Sequence, residues 1–119
     1  MVLKTGSLAL GILYFIIGHI LVFYQLNGQF LYKSFRENEW AVAAMGFIIS
    51  FFFIWGTKHT VEAMEGLLWP ARFIGFGVGM LQYAIFVNYH FSEGITLKTW
   101  ISLILCVSLI GIQVLWKTT

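Results

Sequence analysis

Charged residues are scarce in this chain. They make up 10% of its 119 residues, and hydrophobic residues make up 60%, against about 25% charged and 45–50% apolar residues in soluble domains. None of the five acids is an aspartate, and the seven bases are scattered along the chain. This composition excludes the soluble class, and no basic stripe is present that could follow a nucleic acid backbone. We expect a membrane protein whose partner is the lipid bilayer and not nucleic acid.

Cysteine and proline each occur once. Cys106 lies inside an apolar run, so the sequence predicts no disulfide and no cysteine-based metal site. The chain also lacks a nucleophile–base spacing, a glycine-rich phosphate loop and a cluster of metal ligands. We therefore expect no enzymatic activity, no metal and no cofactor.

Long apolar segments are the dominant feature of the sequence. A bilayer core of about 30 Å needs about 20 mostly apolar residues, and residues 7–27, 40–56 and 99–116 meet this requirement directly. The uncharged run 73–87 is too short, so we extend that helix back to residue 60. The sequence thus predicts one domain, residues 1–119, with helices at 7–27, 40–56, 60–87 and 99–116. Pro70 would then kink the third helix.

The predicted third helix carries most of the ionisable residues that would lie within the bilayer. Spacings of three and four place six side chains on one face: Lys58, Glu62, Glu65, Trp69, Arg72 and Phe76. Ionisable groups in lipid face the bundle interior and pair with one another. One interpretation is a cavity in which Glu62 or Glu65 binds a cation or a proton beside Arg72. The other is an interfacial turn with both carboxylates in water and Arg72 reaching the headgroups.

Small and polar residues mark further candidate positions. Gly75, Gly77 and Gly79 predict close helix packing, although a flexible hinge would use the same residues. Gly111 in the last helix is a further packing candidate. His19 in the first helix is a candidate for binding or an interhelical hydrogen-bond partner. Tyr14 and Gln25 lie on one side of the same helix and are further binding candidates.

The segment 91–103 reads FSEGITLKTWISL and is followed by an apolar helix containing Gly111. It resembles the drug/metabolite transporter superfamily, in which a short glycine–glutamate turn joins the last two helices. The small size and the even distribution of loop charges are similar to its four-helix members, the small multidrug resistance family. Trp69, followed by the glycine-rich stretch 75–79, is similar to the third helix of that family.

This resemblance implies a small multidrug resistance-like bundle of four helices, all-α, in an inner or plasma membrane. It also implies an antiparallel homodimer, with a small-molecule or cationic substrate between the first three helices of both subunits and the fourth helices paired. One departure concerns the mechanism: the family carries an essential Glu in its first helix, and residues 7–27 contain no acid. The coupling group would then be Glu62, Glu65 or His19.

Two functions remain open from the sequence. The first is a dimeric transporter of a small molecule or ion, which the stripe of Glu62, Glu65 and Arg72 favours. The second is a non-transporting membrane subunit or scaffold, which the missing acid favours. A channel is weaker, because no repeated ring of filter residues is present.

Overall fold

The computed structural model describes residues 5–116. These residues form six α-helices, four of them long: α1 (Thr5–Asn27), α2 (Lys33–Glu37), α3 (Glu39–Ala44), α4 (Gly46–Ala63), α5 (Leu68–Phe91) and α6 (Leu97–Leu115). A 3-10 turn at Gly28–Phe30 leads from α1 towards α2. No strand occurs between residues 5 and 116.

Four segments are long and apolar enough to cross a membrane: Gly6–Phe30, Glu39–Ala63, Leu68–Phe91 and Leu97–Leu115. The second span consists of α3 and α4, which meet at a turn at Met45. The prediction of an all-helical protein with four helical segments able to span a membrane is thereby confirmed. Each span buries only between 11% and 39% of its most apolar stretch inside the chain, so lipid or another chain must cover the rest.

The boundary between the second and third spans differs from the prediction. The second span continues to Ala63, and the third begins at Leu68, so the predicted break at 57–59 and the helix 60–87 are wrong. The backbone N–H of Gly66 donates to the carbonyl of Val61, and the N–H of Glu65 donates to that of Glu62. This pair of bonds is the Schellman motif that ends helices. Glu65 and Gly66 adopt the positive φ values, 59° and 87°, that the motif and the following turn require.

Pro70 does not kink a helix. It is the third residue of α5, where the backbone N–H has no partner within the helix in any case. A proline there preserves the helix that it would break further along. The predicted kink in the first third of the helix is therefore wrong, because the helix starts eight residues later than the sequence indicated.

Glycines allow α1 and α4 to pack closely. A Cβ atom on Gly18 would lie 3.1 Å from the ring of Phe53, and one on Gly56 would lie 2.9 Å from the ring of Phe15. Beside this contact, the buried Thr60 donates its hydroxyl hydrogen to the carbonyl of Gly56 at 2.7 Å. In lipid, the hydrophobic effect does not drive helices together, so such close packing is a main source of their association.

The third span, α5, connects the remaining helices. A buried cluster of Ala63, Met64 and Ile74 joins it to the end of α4, and Gly77 faces the side chain of Ile110 on α6. At the opposite end, the Tyr24 hydroxyl and Nε2 of His90 are hydrogen-bonded at 2.8 Å, which ties α1 to α5. The helix α5 thus has α1, α4 and α6 as neighbours, and this arrangement leaves a space between α4 and α5.

Candidate functional site

A groove of about 580 Å³ opens between α1, α4 and α5. The first helix contributes Phe15 and His19, and α4 contributes Phe53 and Thr57. The third span contributes the remaining lining residues: Leu68, Ala71, Arg72, Gly75, Phe76, Gly79, Met80 and Tyr83. Because α5 rises 1.5 Å per residue, its lining from Leu68 to Tyr83 extends over about 22 Å. The volume is within the range of about 300–1,000 Å³ of small-molecule sites.

His19 is held in place by a hydrogen bond across the helices. Its Nε2 lies 2.9 Å from the carbonyl oxygen of Gly75. A carbonyl only accepts, so Nε2 carries the hydrogen and Nδ1 remains available as an acceptor in the neutral imidazole. The ring also packs edge-on against Phe53, with the ring centroids 4.9 Å apart. The sequence offered His19 as a ligand-binding group or an interhelical hydrogen-bond partner. In this geometry it lines the groove and also makes an interhelical hydrogen bond.

Gly79 provides the space for the imidazole. A Cβ atom there would lie 2.5 Å from Cε1 of His19 and 2.8 Å from each ring nitrogen, closer than real Cβ contacts. Gly75 is packed similarly, because a Cβ on it would lie 3.2 Å from the ring of Phe15. These glycines therefore face α1 of the same chain.

Arg72 is the charged residue among the described residues that line the groove. It lies four residues from the start of α5, about 6 Å along the helix axis. Its side chain is exposed. A charge at the centre of a spanning helix costs about 2.5–3.5 kcal/mol on insertion scales, and a position near the helix end reduces this cost.

The rest of the groove is mainly apolar and aromatic. The rings of Phe15 and Phe53 are 6.3 Å apart between centroids, and Phe76 and Tyr83 lie along α5. Thr57 adds a hydroxyl from α4. The groove therefore offers an apolar body with a guanidinium near one end, an arrangement suited to an amphiphilic ligand.

The two glutamates of the predicted stripe do not line this groove. Glu62 is exposed in the last turn of α4, and Glu65 is exposed in the turn that follows. Arg72 and Trp69 belong to α5, so a common helix face for these four residues is wrong. The reason is the helix end at Ala63, which interrupts the periodicity on which the stripe depended.

Trp69, Tyr14 and Gln25 also lie outside the groove lining. Trp69 is 70% exposed near the start of α5, a position typical of the aromatic rings at a membrane surface. Tyr14 stacks on His59 of α4, with the ring centroids 5.7 Å apart. The Gln25 side-chain nitrogen donates to the carbonyl of Val42 at 3.2 Å, next to the turn where α3 meets α4. Gln25 therefore stabilises the backbone at that turn.

Sequence reasoning did not find most of the aromatic part of the lining. Phe76 was placed on one helix face with Arg72, but Phe15, Phe53 and Tyr83 read as ordinary apolar surface in a chain with 12 Phe and five Tyr. One signal was present: Arg72, Gly75, Gly79 and Tyr83 are spaced by three, four and four residues, which places a cation, two glycines and a phenol on one helix face.

Comparisons with known proteins give no family model, no curated protein and no solved structure that matches this chain.

Proposed function

We propose that the protein is a small transporter-like integral membrane protein that moves a small molecule across the membrane and acts as a dimer. The observation that carries the proposal is the groove: about 580 Å³ of space between α1, α4 and α5, lined by aromatic side chains and by Arg72. A tightly packed scaffold needs no such space, because interiors close gaps larger than a water molecule. A ligand that crosses a membrane needs a path shielded from lipid.

The open groove supports the proposed dimer. Three helices of one chain bound it, and it remains open on one side. A second copy placed against the opening would close the groove and shield its polar groups. The resemblance at residues 91–103 to the small multidrug resistance family is compatible with this proposal, in either the parallel or the antiparallel arrangement.

The role of the carboxylates changes with the geometry. Neither Glu62 nor Glu65 is among the lining residues, so proton or cation binding by these acids is not part of the proposed transport site. We expect Glu62→Gln and Glu65→Gln to retain flux, whereas Arg72→Gln reduces it. Loss of flux in Glu62→Gln or Glu65→Gln, with flux retained in Arg72→Gln, would instead identify the carboxylates as the coupling groups.

Transport is tested by filling the groove. Thr57 lies on α4 with an exposed side chain, so Thr57→Phe adds an aromatic ring to the groove without opening a cavity in the bundle. Thr57→Ala is the matched control, because it removes the hydroxyl and adds no volume. The assay is electrogenic or radiolabelled flux of a panel of small organic ions in reconstituted vesicles.

We expect flux with the native chain and with Thr57→Ala, and a loss of at least about tenfold with Thr57→Phe. Absence of flux for every probe, with a folded protein, would contradict transport. It would favour the second candidate, a non-transporting membrane subunit, which is supported by the lack of a carboxylate among the described lining residues.

A further inference from the structure

The charge in the groove has one sign. Of the described residues that line it, Arg72 carries a permanent positive charge and none carries a carboxylate. The guanidinium offers five N–H donors and cannot lose its proton in a protein. A cationic ligand in this groove would be repelled by Arg72, whereas an anion would be bound by charge-assisted hydrogen bonds.

The position of the charge sets the orientation of the ligand. Arg72 lies about 6 Å from the start of α5, and Tyr83 lies about 16 Å further along the same helix. A spanning helix of 24 residues is about 36 Å long and the hydrocarbon core is about 30 Å thick, so Arg72 lies close to the edge of that core. The groove thus runs from a cation near the membrane surface to aromatic side chains deeper in the bilayer.

We infer that the groove binds an amphiphilic anion, with its acidic group on Arg72 and its apolar body along Phe15, Phe53, Phe76 and Tyr83. This inference rests on the proposed function, because it names the substrate class of the same groove. The ligand is a sulfonate, phosphate or carboxylate attached to an apolar chain or ring. Such a ligand reaches the groove either from water, as a soluble organic anion, or sideways from the bilayer, as an anionic lipid.

The test compares two probes with the same apolar body and opposite charges. Decane-1-sulfonate and decyltrimethylammonium are titrated calorimetrically into the full chain in phosphatidylcholine nanodiscs, with empty nanodiscs subtracted. We expect saturable binding of the sulfonate at least about tenfold tighter than that of the ammonium compound. Equal affinity for both probes, or tighter binding of the cation, would overturn the inference.

Variants assign the effect to one side chain. Arg72→Gln should weaken sulfonate binding at least about tenfold, and Arg72→Lys should retain most of it because the charge remains. Arg36→Gln is the matched control: this arginine is exposed in α2 and donates to the carbonyl of Gln29, outside the groove. Unchanged sulfonate affinity in Arg72→Gln would contradict the inference.

A second measurement covers the case in which Arg72→Gln fails to fold. A decyl sulfonate that carries a diazirine is photolysed with the native chain, and the labelled peptides are sequenced. Labels on α1, α4 and residues 68–83 support the inference, and labels confined to α6 or to residues 28–39 overturn it.

Lipid composition separates the two sources of the anion. Phosphatidylglycerol is substituted for part of the phosphatidylcholine. If the apparent affinity for the sulfonate falls as the phosphatidylglycerol content rises, the lipid competes for the groove. This result supports the inference and indicates that the ligand is an anionic lipid. Unchanged sulfonate binding also supports it and names a soluble anion.

Thr57→Phe distinguishes failure of this inference from failure of the proposed function. If the cation binds better and Thr57→Phe blocks it, the groove binds small molecules and only the charge class is wrong. If Thr57→Phe affects neither probe, the groove is not a binding site and both proposals fail.

Discussion

The imidazole of His19 and the backbone of Gly75 join α1 to α5 through a hydrogen bond of 2.9 Å from Nε2 to the carbonyl oxygen. This bond depends on a third residue, because the ring lies where a side chain on Gly79 would begin. Inside a membrane bundle, where water is absent, a polar group forms its hydrogen bond with a neighbouring helix. Gly79 therefore supports the wall of the groove indirectly, by permitting the position of His19.

The first prediction concerns Gly79→Ala. The new Cβ would lie 2.5–2.8 Å from the imidazole, so the ring must move and its bond to Gly75 is lost. Interhelical hydrogen bonds in membranes contribute about 0.6 kcal/mol on average and at most about 1.7. We expect a loss of about 1–2 kcal/mol in the free energy of unfolding, measured by reversible denaturation in mixed micelles, because steric overlap adds to the lost bond.

Two controls accompany this prediction. Gly6→Ala, also in a helix, has no atom of the described residues within 4 Å of the new Cβ, so it should be neutral or slightly stabilising through helix propensity. In a His19→Ala background, Gly79→Ala should lose most of its effect, because the ring that it displaces is absent. If the losses in free energy of unfolding for Gly79→Ala and His19→Ala simply add in the double variant, Gly79 does not act through the position of His19.

The second prediction concerns Pro70→Ala. Since Pro70 occupies the first turn of α5, where its missing N–H leaves no bond unmade, the substitution should change the free energy of unfolding by less than about 1 kcal/mol. The bend of α5 should also remain the same, as measured by spin-label distances between its two ends. A change in those distances would show that Pro70 bends the helix after all.

The error over Pro70 and the third helix has one physical origin. The predicted break at residues 57–59 contains Lys58 and His59, polar residues that are expensive in lipid. A lysine near a helix end can nevertheless extend its amine to the headgroups, so these residues do not end the helix. The actual helix end was marked by backbone chemistry: Gly66 followed four residues later by Pro70 is the pattern of a helix stop and a new start. Hydrophobic length predicted the number of spans, and it could not place this boundary.

The candidate site was predictable only in part. Arg72 and His19 were found because polar groups are rare within apolar segments. Apart from Phe76, the aromatic lining was not found, because a phenylalanine that faces a groove and one that faces lipid have the same sequence signature. Tertiary packing decides between them, and the glycines at 75 and 79 were the available hint that α5 approaches another helix there.

The third prediction concerns the end of α5. Ser92 adopts a left-handed conformation with φ of 51°, and its backbone N–H donates to the carbonyl of Asn88. A residue with a Cβ atom is less stable there than glycine, by about 1–2 kcal/mol. Ser92→Gly should therefore raise the free energy of unfolding by about 0.5–1 kcal/mol, after the greater entropy of glycine in the unfolded chain is deducted.

Gly94→Ala is the comparison for Ser92→Gly. Gly94 has φ of 77°, and an added Cβ would have no atom within 4 Å in the part of the chain that the structure describes, so we expect backbone strain to dominate the effect of the substitution. It should destabilise the protein by about 1 kcal/mol, opposite in sign to Ser92→Gly. If both variants change the free energy of unfolding in the same direction, the left-handed backbone conformation does not explain the effects of these substitutions.

The last prediction concerns the proposed dimer and uses Gly111. This residue lies on α6, and an added Cβ would meet no atom of residues 5–116 within 4 Å, whereas a Cβ on Gly75 meets the ring of Phe15. If α6 pairs with α6 of a second copy, Gly111→Leu holds the two helices apart and leaves the single chain intact. Gly75→Leu instead lowers the stability of the single chain.

Energy transfer between labelled copies in vesicles, at varied protein-to-lipid ratio, measures association of the chains. Thermal unfolding measures the stability of the fold. We expect at least about tenfold weaker association for Gly111→Leu, a change of about 1.4 kcal/mol, with an unchanged unfolding temperature. If association is unchanged, α6 is not the interface. Energy transfer of the native chain no greater than that of randomly distributed copies would eliminate the dimer itself.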